Sequence, residues 1–142
     1  MKAHLNRRYH FSASHRLHTE AYDAARNYAV FGKCNNPHGH GHNYVVQVTV
    51  SGQVDPSTGM VCNLADLDSF AQINLMARFD HMNLNTLDCF ADTVSTTENL
   101  TTEIYRIFQS FPAAHLERVH VEETSNNSFD YAGEGTTPPG RI

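Results

Sequence analysis

Apolar and polar side chains alternate from residue 3 to residue 15, so that Tyr9, Phe11, Ala13 and His15 share one face of a predicted first strand. The alternation returns from about residue 42 to residue 54. If that second strand begins near His40, then His40, His42, Tyr44, Val46, Val48 and Val50 lie on one side. Residues 16–39 have no clean period beyond a short helix expected around Glu20–Tyr28, and a loop of this length in a small domain is ordinarily functional or mobile. Asp55-Pro56-Ser57-Thr58-Gly59 reads as a turn. The spacing then switches to threes and fours. Leu64, Leu67, Ala71 and Leu75, widened by Phe70 and Ile73, predict a helix from about Leu64 to Arg78 with Asn63 as its N-cap.

A second helix is announced by Ser95-Thr96-Thr97-Glu98, which matches a capping box with Ser95 as the cap. Leu100, Ile104, Ile107, Phe108 and Phe111 mark its apolar face, and Pro112 stops it. Leu116–Thr124 alternates again, with Val119, Val121 and Glu123 on one side. Asn126-Asn127 predicts a tight turn, Ser128–Glu134 a fourth strand, and residues 135–142 a frayed tail. The order β-β-α-α-β-β predicts an α+β domain over residues 1–134. A four-stranded antiparallel sheet carrying two helices on one face is its natural packing.

Composition narrows the function classes. A chain of 142 residues is long enough for one hydrophobic core, and its net charge of −5 disfavours nucleic acid or an anionic membrane as the main partner. Cys34, Cys62 and Cys89 form no CxxC pair and are odd in number, so neither a disulfide framework nor a zinc ribbon is favoured. The N-terminus lacks an apolar signal region and no run reaches membrane-spanning length. A cytoplasmic protein with reduced thiols is expected.

The ten histidines are the compositional oddity. A single strand histidine is ordinarily a surface or packed residue. His40 and His42, flanked by glycines on one strand face, are instead spaced to hold one metal ion. If the first two strands pair antiparallel, His15 at the end of one meets His40 and His42 at the start of the other. Three ligands leave a coordination position open, which marks a catalytic rather than a structural zinc site. His38 continues the every-second-residue pattern and remains a possible ligand. Cys34 is open to three readings: a small packed residue, a fourth structural ligand, or a base beside the metal. Asp80-His81 reads either as a polar helix end or as a carboxylate orienting an imidazole. Glu123, on a face of valines, needs a partner, either an arginine or a ligand with an amidine-like edge.

Phe11-Ser-Ala-Ser-His15-Arg16-Leu17, Phe31-Gly-Lys-Cys34-Asn-Asn-Pro, Gly39-His40-Gly-His42-Asn-Tyr44, Asp80-His81, Ser95-Thr-Thr-Glu-Asn99 and Glu123-Thr124 together resemble the 6-pyruvoyl-tetrahydropterin synthase family up to about Glu134. The resemblance implies the tunnelling fold, with three subunits closing their sheets into a barrel and two trimers stacking into a homohexamer. It implies a zinc ion (Zn2+) on His15, His40 and His42, Cys34 as catalytic base, and Asp80 with His81 as a proton-transfer pair supplied across a subunit boundary. It implies that Glu123 anchors the pterin ring with help from the backbone around Thr96 and Thr97. The implied substrate is 7,8-dihydroneopterin triphosphate, converted to 6-pyruvoyl-tetrahydropterin with loss of triphosphate and without an external redox cofactor.

The chain departs from the family pattern at His38, where asparagine is frequent, and at Phe79, where leucine is common. A triphosphate also calls for a local basic patch, for which Lys33, Arg16 and Arg26 are candidates. The alternative within the fold resembles 6-carboxy-tetrahydropterin synthase of queuosine synthesis, which releases acetaldehyde. Those relatives usually place three residues between the cysteine and His-Gly-His, where five intervene here, and they carry Pro-Thr-Ser-Glu before the second helix. Both features favour the pyruvoyl branch.

Overall fold

The computed structural model describes residues 1–134, so the expectation for the tail at 135–142 lies outside the described residues. Strand β1 (Lys2–His15) pairs antiparallel with β2 (His40–Gln53) over its whole length, β2 pairs with β4 (His115–Thr124), and β4 pairs with β5 (Asn127–Tyr131). These are the four predicted strands, with ends shifted by a few residues. The sheet nevertheless has five strands in the order β3-β1-β2-β4-β5 and is mixed, which corrects the four-stranded antiparallel expectation. The added strand, β3 (Met82–Asn83), runs parallel to β1 at Ala13 and Ser14. Two residues carry no readable period.

One face of the sheet holds the core. Tyr44, Val46, Val48 and Val50 of β2 are buried there with Phe11 and Ala13 of β1 and Leu116, Val119 and Val121 of β4. Each of the fully buried valines contributes about 1.5–3 kcal/mol by leaving water. Against them pack two helical stretches. The first runs over 64–79 as α2 (Leu64–Ala71), a π-helical turn (Gln72–Met76) and α3 (Ala77–Phe79), burying Leu67, Ala71, Leu75 and Phe79. The predicted helix is therefore real but carries a wide turn in its middle. Asn63 caps it, its side chain accepting from the Ala65 amide at 2.9 Å.

The second stretch, α4 (Thr97–Phe108), presents Leu100, Ile104, Ile107 and Phe108 to the sheet. Its cap is Thr96, not Ser95: the Thr96 hydroxyl accepts from the Asn99 amide at 3.2 Å. Ser95 is displaced from that role because its carbonyl is bonded to a β1 side chain, as described below.

The long connection between β1 and β2 is ordered by two buried amides. Asn27, in α1 (Ala24–Phe31), accepts from the Thr19 amide and donates to the carbonyls of Thr19, Tyr22 and Asp23. Asn35 donates to the Leu17 carbonyl at 2.7 Å and to His18 Nδ1 at 3.1 Å. The helix expected at Glu20–Tyr28 thus starts and ends later, capped by Asp23. Gly39 closes the connection at φ +74°, with a side chain's Cβ position only 3.1 Å from the His15 carbonyl oxygen. Only glycine tolerates both conditions, and the turn it makes sets His40 beside His15.

Candidate metal centre and its surroundings

The strand register delivers the imidazoles. His15 pairs with His40 and Ala13 with His42, all on the core side, where the apolar face runs out. The three rings sit at centroid separations of 4.7, 5.2 and 4.9 Å, each edge-on to the next. One ligand nitrogen from each lies within 4.8 Å of the others, and this is the one such cluster capable of holding a metal among the described residues. The Cys34 thiol is not a member.

The hydrogen bonds around the cluster fix which nitrogens face inward. His15 Nδ1 is 2.6 Å from the Ser95 carbonyl, an acceptor only, so Nδ1 carries the proton and Nε2 presents a lone pair. That Nε2 stands 3.1 Å from His40 Nε2. Two nitrogens on a tetrahedral ion at about 2.0–2.1 Å would stand about 3.3 Å apart. His42 Nε2 is buried without a hydrogen-bond partner. An orphaned buried nitrogen beside two converging ones is a donor set that fits a bound zinc ion. Burial pushes the His15 and His42 imidazoles below the usual histidine range, with Glu123 opposing the shift, so they are held neutral, as ligands must be.

Glu123 lies at the rim of this cluster. Its Oε1 is 3.9 Å from His42 Nε2 and 3.4 Å from Asn127 Nδ2, and its Oε2 accepts from the Thr97 hydroxyl. Burial alone would raise its carboxyl, but the hydrogen bonds from Thr97 and Asn127 and the nearby imidazoles outweigh that and hold it ionised. No arginine reaches it among the described residues. Of the two partners considered for this carboxylate, the dull salt bridge is therefore not what the fold provides. Thr97 is buried in the first turn of α4, while the Thr96 side chain is occupied in capping.

Beneath lies Tyr44, fully buried, with its ring 5.5 Å from His42 and 5.1 Å from Phe11. Its hydroxyl closes no hydrogen bond. Burial raises the phenol well above its usual range, Glu123 adds to this, and Thr97 opposes it. Tyr44 was placed on the right face by the alternation, but nothing in the sequence marked it as polar floor to the site.

Asp80 and His81 sit at the edge of β1, where His81 lines a shallow cavity together with His42. Asp80 Oδ1 accepts from the Ser12 amide at 3.0 Å, and the His81 amide donates to the Ser12 carbonyl at 2.6 Å. The clasp holds His81 at φ +61°, a left-handed conformation that a non-glycine residue adopts only under tertiary constraint. Asp80 Oδ1 is also 3.0 Å from His81 Nδ1, so the carboxylate fixes the tautomer and leaves Nε2 facing outward on a ring 84% exposed. The Ser12 amide chiefly, and then His81, holds the Asp80 carboxyl below its usual range.

Cys34 is half-buried in a short 3-10 turn (Gly32–Asn35), and its carbonyl accepts from the Leu17 amide at 2.8 Å. This bond ties its loop to the chain just beyond His15. Past His15 opens a cavity of about 610 Å3 whose walls include Arg16, His18, His38, Glu20 and Asp92. Of the basic candidates, Arg16 donates to the Asn35 carbonyl and Arg26 stacks over Tyr22 at 4.0 Å. Lys33 is exposed. Cys62 and Cys89 pack at the core margin, and burial raises both thiols.

Residues 4–134 match the family model described as 6-pyruvoyl tetrahydropterin synthase. The chain is 50% identical over 135 residues to the 6-pyruvoyl tetrahydrobiopterin synthase of Homo sapiens, covering 94% of this chain and 93% of that one. It is 47% identical over 135 residues to the enzyme of the same name from Drosophila melanogaster, covering 92% and 80%. The solved structure of Caenorhabditis elegans 6-pyruvoyl tetrahydropterin synthase superposes with a TM-score of 0.90 at 42% identity, covering 94% of this chain and 97% of that one.

Proposed function

This chain belongs to the 6-pyruvoyl tetrahydropterin synthase family, and from that premise we propose that it is a zinc-dependent lyase converting 7,8-dihydroneopterin triphosphate to 6-pyruvoyl-tetrahydropterin. The observation that carries the zinc dependence is the buried, unpartnered His42 Nε2 beside the converging His15 and His40 nitrogens. His15, His40 and His42 would hold the ion, which when bound would supply Lewis-acid chemistry to the hydroxyls of the substrate side chain and so acidify the adjacent carbon-bound proton.

The remaining steps belong to the chain's own groups. Glu123, kept ionised, accepts the paired N–H donors of the aminopyrimidine edge, with Thr97 and the backbone at Thr96 steadying the ring. Cys34 takes the side-chain proton as base. Asp80 orients His81, whose free Nε2 passes a proton. The electron pair left on carbon moves into the ring, which is protonated. The side-chain carbon next to the ring thereby becomes a ketone. Loss of a second proton, from the neighbouring side-chain carbon, supplies the electron pair that breaks the carbon–oxygen bond to triphosphate. The resulting enol takes up a proton to become the second ketone of the pyruvoyl group. Electrons balance within the substrate, so no external redox cofactor is required.

His81 is exposed at the sheet edge. This favours delivery of the Asp80–His81 pair to a neighbouring copy's site, in a homohexamer of two trimers. Pairing of sheet edges would cover β5 and the length of β1 that the two-residue β3 leaves open. Residues 1–134 act as one synthase domain. No described helix is long and apolar enough to cross a membrane, and we place the enzyme in the cytoplasm.

The test is anaerobic incubation of the zinc-loaded protein with 7,8-dihydroneopterin triphosphate, the products read by mass spectrometry. Pyruvoyl product with free triphosphate is expected. Acetaldehyde with a carboxy-tetrahydropterin would replace this reading by the queuosine-route reaction, and no turnover would remove it.

A further inference from the structure

The last residues of β1 are clasped along their outer edge by residues 80–85, and side chains make the clasp at both ends. At one end Asp80 accepts from the Ser12 amide and the His81 amide donates to the Ser12 carbonyl. β3 then runs beside Ala13 and Ser14. At the other end the Asn85 carboxamide takes both backbone groups of Arg16. Its Oδ1 accepts from the Arg16 amide at 2.7 Å, and its Nδ2 donates to the Arg16 carbonyl at 2.8 Å. The backbone forces that orientation, because an amide N–H only donates and a carbonyl only accepts. One side chain thus makes the paired bonds of an antiparallel ladder at a point where β3 has already ended. Leu84, fully buried next to it, pins Asn85 against the strand.

The same carboxamide reaches the partner of the His15 imidazole. The hydroxyl of buried Ser95 lies 3.3 Å from Asn85 Oδ1 and 3.4 Å from the Arg16 carbonyl oxygen, so either acceptor ties Ser95 to the clasp. The Ser95 carbonyl in turn accepts from His15 Nδ1 at 2.6 Å. Resting on the reading of His15, His40 and His42 as a zinc site, we infer that Asn85 is a positioning residue for His15. It holds the ligand's backbone through Arg16, whose amide shares a peptide unit with the His15 carbonyl, and it holds the imidazole through Ser95. His15 needs this. It is the last residue of β1 and pairs with His40, the first of β2, at the end of the ladder, where strands fray. The two ends of one clasp therefore have different tasks: the Asp80 end orients His81, and the Asn85 end keeps His15 Nε2 converged on the other two imidazoles.

Asn85 is itself exposed, and Ser95 keeps the Arg16 carbonyl as an acceptor, so Asn85→Ala strands no buried group and is expected to fold. Its zinc Kd, measured by competition with a chromophoric chelator, should rise about 10-fold or more, as loss of an outer support of a metal ligand does. Turnover should fall at limiting zinc and recover at saturating zinc. Asn85→Asp keeps the acceptor for Arg16 and Ser95 but loses the donor, and its zinc Kd should fall between the two. Asp68→Asn, which loosens β1 at its opposite end, controls for general destabilisation: its melting temperature should drop while its zinc Kd stays at the wild-type value. A second readout needs no zinc. In NMR spectra of the chelated protein, the His15 Nδ1 proton should exchange slowly in wild type and rapidly in Asn85→Ala. If that difference is seen but wild type binds no zinc, the clasp on His15 stands and the zinc reading falls. An unchanged zinc Kd in Asn85→Ala, an equal rise in Asp68→Asn, or an unaltered His15 proton would each overturn the inference.

Discussion

Two polar clusters sit on the same face of β1, and they differ in one respect. Toward the start of the strand, Arg7 donates through Nε and Nη2 to both carboxylate oxygens of Asp68 at 3.0 and 2.8 Å, and the Tyr9 hydroxyl donates to the same carboxylate at 2.8 Å. The fork is matched, and the cluster bolts β1 to α2. At the other end His15, His40 and His42 crowd together with one nitrogen orphaned and two more facing each other. The first cluster is closed on itself; the second is complete only with something else in it. Buried polar groups are almost always satisfied, so the unsatisfied end is the functional one.

The comparison is broken most forcefully by deleting an imidazole. His42→Ala is expected to lose bound metal and at least about a hundredfold in turnover, checked by elemental analysis and steady-state assay, while the protein stays folded. The removed nitrogen had no protein partner to strand. Next comes Asp80→Asn, which frees the His81 tautomer. Turnover should drop by about a hundredfold with zinc content unchanged, measured on the same preparations. A loss of zinc there would mean that Asp80 also supports the metal site.

Acid should weaken both clusters, but in different pH windows. His15 and His42 have folded pKa values pushed below the ordinary histidine value near 6.5, so the unfolded chain takes up protons first. Their contribution to the metal-free protein is whole above about pH 6.5 and is lost as pH falls through their lower folded values. Urea melts of chelated protein at pH 8 and 5.5 should show the decline, and saturating zinc should oppose it. The smallest effect belongs to the closed cluster. Hydrogen bonds from Arg7 and then Tyr9 hold Asp68 below the usual carboxylate range, so its contribution is present above about pH 4 and lost as pH falls through the lower folded value. Asp68→Asn should therefore cost at most a few degrees of melting temperature at pH 7, converge with wild type in strong acid, and leave turnover intact.

Much of this could be read from the chain because strands carry a period of two. Once β1 and β2 alternate, the antiparallel register places His15 against His40, and the triad follows without further information. What escaped was set by tertiary contacts or by stretches too short to have a period. The α4 cap moved from Ser95 to Thr96 because a histidine eighty residues earlier takes the Ser95 carbonyl. Met82–Asn83 became a strand because the Asp80–His81 clasp on Ser12 laid them along β1. Asn27 and Asn35 looked like loop polarity and are buried plugs that order the connection. Tyr44 read as one more core side chain, since alternation reports which face a residue occupies and not whether its hydroxyl finds a partner.

The central claim is that three imidazoles make an open metal site in which Cys34 takes no part as ligand. X-ray absorption at the zinc edge of the wild-type protein, repeated on Cys34→Ala, tests it most directly. The account predicts one zinc per chain with nitrogen and oxygen neighbours at about 2.0–2.1 Å, an identical spectrum in the variant, and loss of turnover only. A sulfur neighbour at about 2.3 Å that disappears with Cys34 would mean a closed, structural zinc and would contradict the account.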